Sequence, residues 1–142
     1  EAADYRVLWE ITLTGGTLRA VSYRSGEVIG EDTLCSAGEA AKIAVTAEVG
    51  EKKGELVFVN IDLCDAAGNL AADDDREIAI TVSGGAELLA IGSANPKPRE
   101  NYTAEKTKTY FARAQAILRR TSSDEIRAEI TSPSLPPAVI SL

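Results

Sequence analysis

Apolar and polar residues alternate along almost the whole chain, which is the pattern of strands with one buried face. In VLWEITL, residues 7–13, every second residue is apolar, beginning with Val7 and including Trp9. The same period recurs in ELVFVNIDLC, EIAITV and EIRAEIT, and AVISL near the end of the chain reads as a last strand. We therefore predict Trp9 in a core. The residues predicted to face a core further along are Val57, Val59, Ile61, Leu63, Ile78, Ile80, Val82, Ile126, Ala128 and Ile130. Asn60, Asp62 and Cys64 are predicted to point to the opposite, outward face.

Turn-forming residues separate the alternating runs. Ser25-Gly26 lies between TLRAVSYR and EVIGEDTLC, and this arrangement predicts a two-residue β-hairpin. Further turn signals lie at Gly15-Gly16, Ala67-Gly68-Asn69, Gly84-Gly85, Asn95-Pro96, Ser132-Pro133 and Pro136-Pro137.

One segment, AEKTKTYFARAQAILRR at residues 104–120, has the composition of a helix, because Ala and Arg favour helices. It also alternates, with Ala112, Ala114, Ala116 and Leu118 on one face. The alternation and the β-rich neighbours favour a strand. The chain is therefore predicted to be all-β, with about ten short strands in a sandwich architecture.

The chain divides near SAGEAAKIAV into two predicted parts. Residues 1–40 are predicted to hold three antiparallel strands, the C-terminal half of an immunoglobulin-like β-sandwich domain. Residues 41–142 hold about seven strands and are predicted to be a complete immunoglobulin-like β-sandwich. Because three strands without a partner sheet are not stable alone, we expect residues 1–40 to pack on the second domain or on another chain, with a homo-oligomer as the favoured outcome.

Composition excludes several classes of function. The net charge of −7 argues against nucleic acid or an anionic membrane as a partner. No apolar run is long enough to span a membrane, and the acidic start EAADYRVLW is not that of a signal peptide. The chain contains no Met, which indicates a processed chain or an internal piece of a longer one.

The absence of His removes Ser–His and Cys–His catalysis and His-based zinc sites. The two cysteines, Cys35 and Cys64, do not form a CxxC motif. We predict two free thiols on strands, with a Cys35–Cys64 disulfide as the alternative.

Carboxylates are concentrated in DLCDAAGNLAADDDREIAI, residues 62–80. Clustered Asp oxygens suit calcium, but the Asp-x-Asp-x-Asp-Gly spacing of a calcium loop is absent. The favoured interpretation is a solvated acidic loop between strands, with a tight turn at residues 65–69 in which Asp65 accepts backbone hydrogen bonds. We expect no calcium requirement. A catalytic carboxylate pair is not favoured, because these acids lie in turns and on outward strand positions.

Basic residues are concentrated in segment 97–120. Their arrangement allows an anion-binding or docking face, but the polar side of a strand and a loop is favoured, since no aromatic residues are interleaved as on a nucleic-acid surface. Among the aromatic residues, only Tyr102 lies clearly in a loop. The basic residues are Lys97, Arg99, Lys106, Lys108, Arg113, Arg119 and Arg120.

Residues 55–96 resemble the C-terminal immunoglobulin-like module of bacterial family-two glycoside hydrolases, the β-galactosidase-like enzymes. That module carries Asp-x-x-Gly-Asn, an acidic turn, a Gly turn and a strand that runs into an Asn-Pro or Asp-Pro pair. Tyr110-Phe111-Ala112 departs from the aromatic-Asn-Gly of the usual pattern. The matching residues are Asp65, Gly68, Asn69, Ile78, Val82, Gly84, Ile91, Gly92 and Pro96.

Residues 8–48 resemble the second half of the domain that precedes this module, through features that include Trp9, Gly26 and Asp32-Thr33. The resemblance implies a non-catalytic tail of a secreted glycosidase, periplasmic or extracellular, whose partners are the upstream domains of the same polypeptide. It implies no catalytic, cofactor-binding or metal-ligating residue in this chain, and no cofactor. The alternatives are an adhesin-type surface repeat and a carbohydrate-binding module.

Overall fold

The computed structural model describes residues 7–12 and 15–142, and the structured elements within them are all β-strands. The chain divides into two compact units, one ending at Ser36 and the other spanning Ala37–Leu142. The assignment of residues 1–40 and 41–142 to particular domain types stays a prediction. The strands are β1 (Thr17–Arg24), β2 (Glu27–Cys35), β3 (Lys42–Val49), β4 (Leu56–Cys64), β5 (Glu77–Gly84), β6 (Ala86–Gly92), β7 (Lys106–Lys108), β8 (Arg113–Arg120), β9 (Ile126–Thr131) and β10 (Ala138–Ser141).

The first unit contains the predicted hairpin. Strands β1 and β2 pair antiparallel, from Thr17 opposite Cys35 to Arg24 opposite Glu27, with a β-bulge after Ser22. Ser25 and Gly26 both have positive φ, 51° and 87°. Two positive φ angles are the signature of the tight turn whose twist matches that of the flanking strands, so the hairpin prediction is confirmed.

The third strand predicted before this hairpin is not present in the described residues. Residues 7–12 form no strand, and Leu13 lies outside the described residues. Trp9 is 65% exposed, so its predicted place in a core is wrong. Alternation shows which residues would face a partner, but a strand also needs a neighbour for its backbone hydrogen bonds. In this unit β1 and β2 form a two-stranded sheet by themselves.

The second unit is a sandwich of two four-stranded antiparallel sheets, ordered β3-β4-β8-β6 and β10-β9-β5-β7. It has eight strands, where the sequence predicted about seven. The inward faces of both sheets contribute to one hydrophobic core. The predicted inward residues are confirmed, with Val82 partly buried at the edge of the core and the others buried. Fully buried residues include Val57, Val59, Ile61, Leu63, Ile78, Leu118, Ile126 and Ile130.

The segment with helical composition forms strands β7 and β8. Ala112, Ala114, Ala116 and Leu118 are buried, whereas Arg113, Gln115 and Arg119 between them are exposed. Burial of every second residue therefore overrides the intrinsic helix propensity of Ala and Arg.

A strained turn precedes β8. Tyr110 and Arg113 bond to each other through their backbones, with Tyr110 N to Arg113 O at 3.0 Å and Arg113 N to Tyr110 O at 3.2 Å. The two residues between them, Phe111 and Ala112, have φ of 49° and 62°. Asn-Gly is the preferred pair for such a turn, and it is the pair that Phe111-Ala112 replaces.

The turn yields a stability prediction. Phe111→Asn and Phe111→Ala both remove the edge-to-face contact between the rings of Phe111 and Tyr110, whose centroids are 4.6 Å apart. We expect the Asn variant to be more stable than the Ala variant by about 1 kcal/mol in urea unfolding, because Asn tolerates the left-handed conformation better. At the exposed strand residue Val139, we expect Val139→Asn to be no more stable than Val139→Ala. Equal stability of the two Phe111 variants would contradict the assignment of strain to this turn.

Candidate functional site

Asp65 shows what the acidic segment does. Its side chain is buried at the end of β4. Oδ2 accepts hydrogen bonds from Gly38 N at 3.0 Å and Asn69 Nδ2 at 3.1 Å, and Oδ1 accepts one from Asn69 N at 2.8 Å. The carboxylate thus joins the chain entering the sandwich to the turn after β4. The prediction that Asp65 accepts backbone hydrogen bonds in this turn is confirmed by Asn69 N, but the prediction of a solvated loop is wrong for this residue, because the fold buries backbone N–H groups that need an acceptor.

These donors stabilise the ionised form of Asp65. The hydrogen bond from the Gly38 backbone, followed by that from the Asn69 side chain, lowers the pKa of Asp65 from 3.8 to about 2. A carboxylate held ionised in this way can accept hydrogen bonds but is unsuited to donate a proton as a general acid.

Asp74 is also structural. It binds Arg76 through two hydrogen bonds, from Nε at 2.7 Å and from Nη2 at 2.6 Å, and it accepts Ala40 N at 3.2 Å. The paired guanidinium lowers the pKa of Asp74. The fork-to-fork geometry orients the Asp74 carboxylate within the loop, and the hydrogen bond from Ala40 N joins the loop to the start of the second unit.

Asp75 supports the strained turn before β8. Its Oδ1 accepts a hydrogen bond from Ala112 N at 2.9 Å and a longer one from Thr109 Oγ1 at 3.4 Å. Asp73 and Glu77 are the solvated members of the segment, and Glu77 pairs with Lys106 at 3.1 Å. Within residues 7–12 and 15–142, no group of three or more Cys, Asp or Glu side chains is arranged to hold a metal ion.

The basic residues of segment 97–120 do not form one anion site. Lys106, Arg113 and Arg119 pair with Glu77, Asp62 and Glu87 respectively. Arg120 is buried and donates to the backbone carbonyls of Gly50, Ser122 and Asp124. The favoured interpretation, polar positions on a strand and a loop, agrees with this arrangement.

Cys35 is an exposed free thiol and Cys64 a buried free thiol. Both lie on strands, as the favoured interpretation predicted. The predicted outward position of Cys64 is wrong, because this last residue of β4 is buried, as is Asp65 after it. Burial, with Asp62 nearby, raises the pKa of the Cys64 thiol, so this group is not an activated nucleophile.

A groove of about 660 Å³ lies on the outward face of the β3-β4-β8-β6 sheet, and its lining combines polar side chains with apolar ones such as Ala90, Ala94 and Ile117. Thr46, Asn60 and Gln115 occupy adjacent strands in register, and Gln115 Nε2 donates to Asn60 Oδ1 at 2.8 Å. Two residues along, Asp62 lies opposite Arg113, with Oδ1 and Nε 3.5 Å apart.

Tyr102 lines this groove from the loop between β6 and β7. Its ring lies against Gly92, where an added Cβ would approach the ring atoms Cδ1 and Cε1 to 2.5 Å. Glycine is therefore required for this close approach. The backbone of Tyr102 is held by a hydrogen bond from Ile91 N to its carbonyl oxygen at 2.8 Å.

Sequence reasoning identified no site here, although it identified Tyr102 as a loop aromatic and placed Asn60 and Asp62 on the outward face of β4. The signal in the sequence is the row of polar residues opposite a buried face on β4 and β8. The register that joins the two strands, and the loop that brings Tyr102 over Gly92, are tertiary features.

No helix that could span a membrane is found among the described residues.

The fold defines the class of the protein, an immunoglobulin-like β-sandwich, and comparison with known proteins defines its family. Residues 36–141 match the model of the glycoside hydrolase family 2 C-terminal domain 5. The chain belongs to this family and is a C-terminal region of a family-two protein, as the resemblance implied.

Similar proteins are much longer than this chain. It is 26% identical to the β-galactosidase BoGH2A of Bacteroides ovatus, covering 98% of this chain and 17% of that protein. A glycosyl hydrolase family 2 member from Bacteroides cellulosilyticus has 29% identity and a TM-score of 0.87, covering 96% of this chain and 19% of that one. A β-glycosidase from Bacteroides vulgatus, at 18% identity and a TM-score of 0.88 over 96% of this chain and 18% of that one, shares the fold. The chain thus spans less than a fifth of the length of these proteins.

Asp65 yields a prediction about pH. In Asp65→Asn, one carboxylate oxygen becomes an NH₂ group that must face an N–H donor in either orientation, so we expect lower stability at neutral pH. Because the folded-state pKa is depressed, the contribution of Asp65 is present above pH 3.8 and is lost as the pH falls towards about 2. The difference between the parent protein and the variant in urea unfolding should therefore narrow over this window.

The matched control is Asp73→Asn, in the same segment but exposed. It is expected to change stability little at any pH. The role assigned to Asp65 would be contradicted if the difference in unfolding free energy between Asp65→Asn and the parent protein stayed constant from neutral pH to the acid end of this range.

Proposed function

We propose that this chain is the non-catalytic C-terminal β-sandwich region of a larger β-galactosidase-like glycosidase, and that it packs against upstream domains of the same polypeptide. The observation that carries the proposal is the apolar surface of the first unit. Nine large apolar side chains of its described residues are exposed: Val7, Leu8, Trp9, Ile11, Leu18, Tyr23, Val28, Ile29 and Leu34.

This surface requires a partner on physical grounds. The hydrophobic core among the described residues is formed by residues from Ala40 onwards. A two-stranded hairpin is marginal in water by itself. Single exposed apolar residues are usual on soluble proteins, but nine large ones within a unit that ends at Ser36 are a concentration that marks an interaction site. Since the chain spans less than a fifth of its relatives' length, upstream domains of the same polypeptide are the partner that the proposal selects.

A non-catalytic role is supported by the chemistry of the acids. Glycoside hydrolysis uses two carboxyl groups across a substrate pocket, one of them with a raised pKa. Here the pKa shifts of Asp65 and Asp74 are both downward, and Asp75 is engaged in supporting a turn. The proposal therefore places catalysis in the upstream part of the polypeptide.

The alternatives differ in their support. The family match favours the glycosidase context over an adhesin-type repeat. Pairing of two copies through residues 1–40 would cover the same apolar surface, and it is separated from the upstream-domain proposal by the experiment below. A periplasmic or extracellular location stays a prediction from the resemblance.

The packing role is tested by placing a charge on the hairpin. Leu34 is 66% exposed in this chain. If it is covered by upstream domains, Leu34→Lys should destabilise the longer polypeptide by about 2–4 kcal/mol, because an apolar contact is lost and a charge is buried. In the 142-residue chain alone, the same change should have little effect. The measurement is urea unfolding of both proteins.

Val139→Lys, at an exposed apolar residue of β10, is the matched control and should have little effect in either protein. Equal effects of Leu34→Lys and Val139→Lys in the longer polypeptide would argue against the proposal. If Leu34→Lys instead converts an oligomer of the 142-residue chain into monomers in sedimentation, the homo-oligomer is the correct alternative.

The non-catalytic role has its own prediction. The purified 142-residue chain should release no nitrophenol from aryl β-galactosides or other aryl β-glycosides, because the reaction needs a carboxyl group with a raised pKa, whereas the pKa values of Asp65 and Asp74 are lowered. Turnover that co-purifies with the chain and is removed by substitution of one of its own carboxylates would show that the assignment is wrong.

A further inference from the structure

We propose that the outward groove of the β3-β4-β8-β6 sheet is a binding site for a neutral saccharide. The inference goes beyond the packing role, since the groove lies wholly within the second unit, whereas that role rests on the first. Its volume of about 660 Å³ lies within the range usual for small-molecule sites.

The floor of the groove offers donors and acceptors side by side. The Gln115–Asn60 hydrogen bond uses one donor and one acceptor, and it leaves the Asn60 amide nitrogen and the Gln115 carbonyl oxygen available to a ligand. The next row adds the Asp62 carboxylate and the Arg113 guanidinium, and Thr46 adds a hydroxyl. Sugar hydroxyls both donate and accept, so adjacent hydroxyls on a pyranose match a lining of this kind.

Tyr102 supplies an aromatic ring to the site, beside apolar lining residues such as Ala94 and Ile117. About half of the residue is exposed although its ring lies against Gly92. Asn101 Oδ1 holds the loop by accepting hydrogen bonds from Thr103 N at 3.1 Å and Thr103 Oγ1 at 3.0 Å. A ring held in this way can pack on the C–H face of a pyranose at little cost in conformational entropy.

Charge decides the class of saccharide. The lining contains one cation, Arg113, and one anion, Asp62, and these two side chains lie 3.5 Å apart. Their charges cancel, so an anionic ligand gains from Arg113 only what it loses to Asp62. The chain as a whole carries −7, which further disfavours anions. A neutral pyranoside fits this balance, and a uronic acid does not.

The test is a titration of the 142-residue chain with saccharides, in which two-dimensional amide NMR spectra are recorded at each step. The probes are the methyl β-pyranosides of galactose, glucose and xylose, the disaccharides lactose and cellobiose, and glucuronic acid as the anionic counterpart. We expect at least one neutral probe to bind in the millimolar range, with shifts centred on Asn60, Gly92, Tyr102 and Gln115, and glucuronic acid to bind more weakly. No saturable shift with any neutral probe, or shifts centred elsewhere on the chain, would overturn the proposal.

Variants distinguish the groove from non-specific contact. Tyr102→Ala and Gln115→Ala are each expected to weaken binding by about ten-fold or more, whereas Tyr102→Phe keeps the ring and should retain binding. Phe111→Ala removes an exposed aromatic outside the groove and is the matched control. The amide spectrum of each variant reports whether it is folded. Unchanged affinity in folded Tyr102→Ala and Gln115→Ala, or tighter binding of glucuronic acid than of glucose, would refute the site or the ligand class.

Discussion

The rest of the structure depends on the burial of one face of β4 and β8, the two central strands of their sheet. Val57, Val59, Ile61 and Leu63 from β4 and Leu118 from β8 are fully buried. Because side chains alternate across a strand, burial of these residues turns Asn60, Asp62, Arg113 and Gln115 to the opposite face. The antiparallel register then aligns them into rows. The groove is thus a geometric consequence of the core, and a slip of one residue in either strand would exchange the two faces.

The acidic segment shows how carboxylates can structure a loop by accepting hydrogen bonds from backbone N–H groups. Asp65, Asp74 and Asp75 each accept a hydrogen bond from a backbone N–H that lies far along the chain, on Gly38, Ala40 and Ala112 respectively. The turn at Phe111-Ala112 lacks the Asn-Gly pair that would relieve its strain. Asp75 offsets that deficiency from outside the turn.

The two units illustrate opposite outcomes of the same alternating pattern. In the second unit, two sheets cover each other and the apolar faces meet in a core. In the first unit, β1 and β2 pair with each other and leave side chains such as Leu34 and Tyr23 exposed. An alternation with a period of two residues shows only that one face of a strand is apolar. Whether that face is buried depends on the presence of a second sheet.

The sequence by itself determined the class of fold, the hairpin at Ser25-Gly26, the strand character of β8 and the inward residues of β4, β5 and β9. These features follow from local turn chemistry and from a two-residue period that any neighbouring sheet must respect. The lack of a strand at residues 7–12, the exposure of Trp9, the structural bonds of Asp65 and Asp74 and the groove were decided only by tertiary structure. Each of them depends on which groups from distant parts of the chain meet, and a single sequence does not specify register between strands or the donors that surround a buried carboxylate.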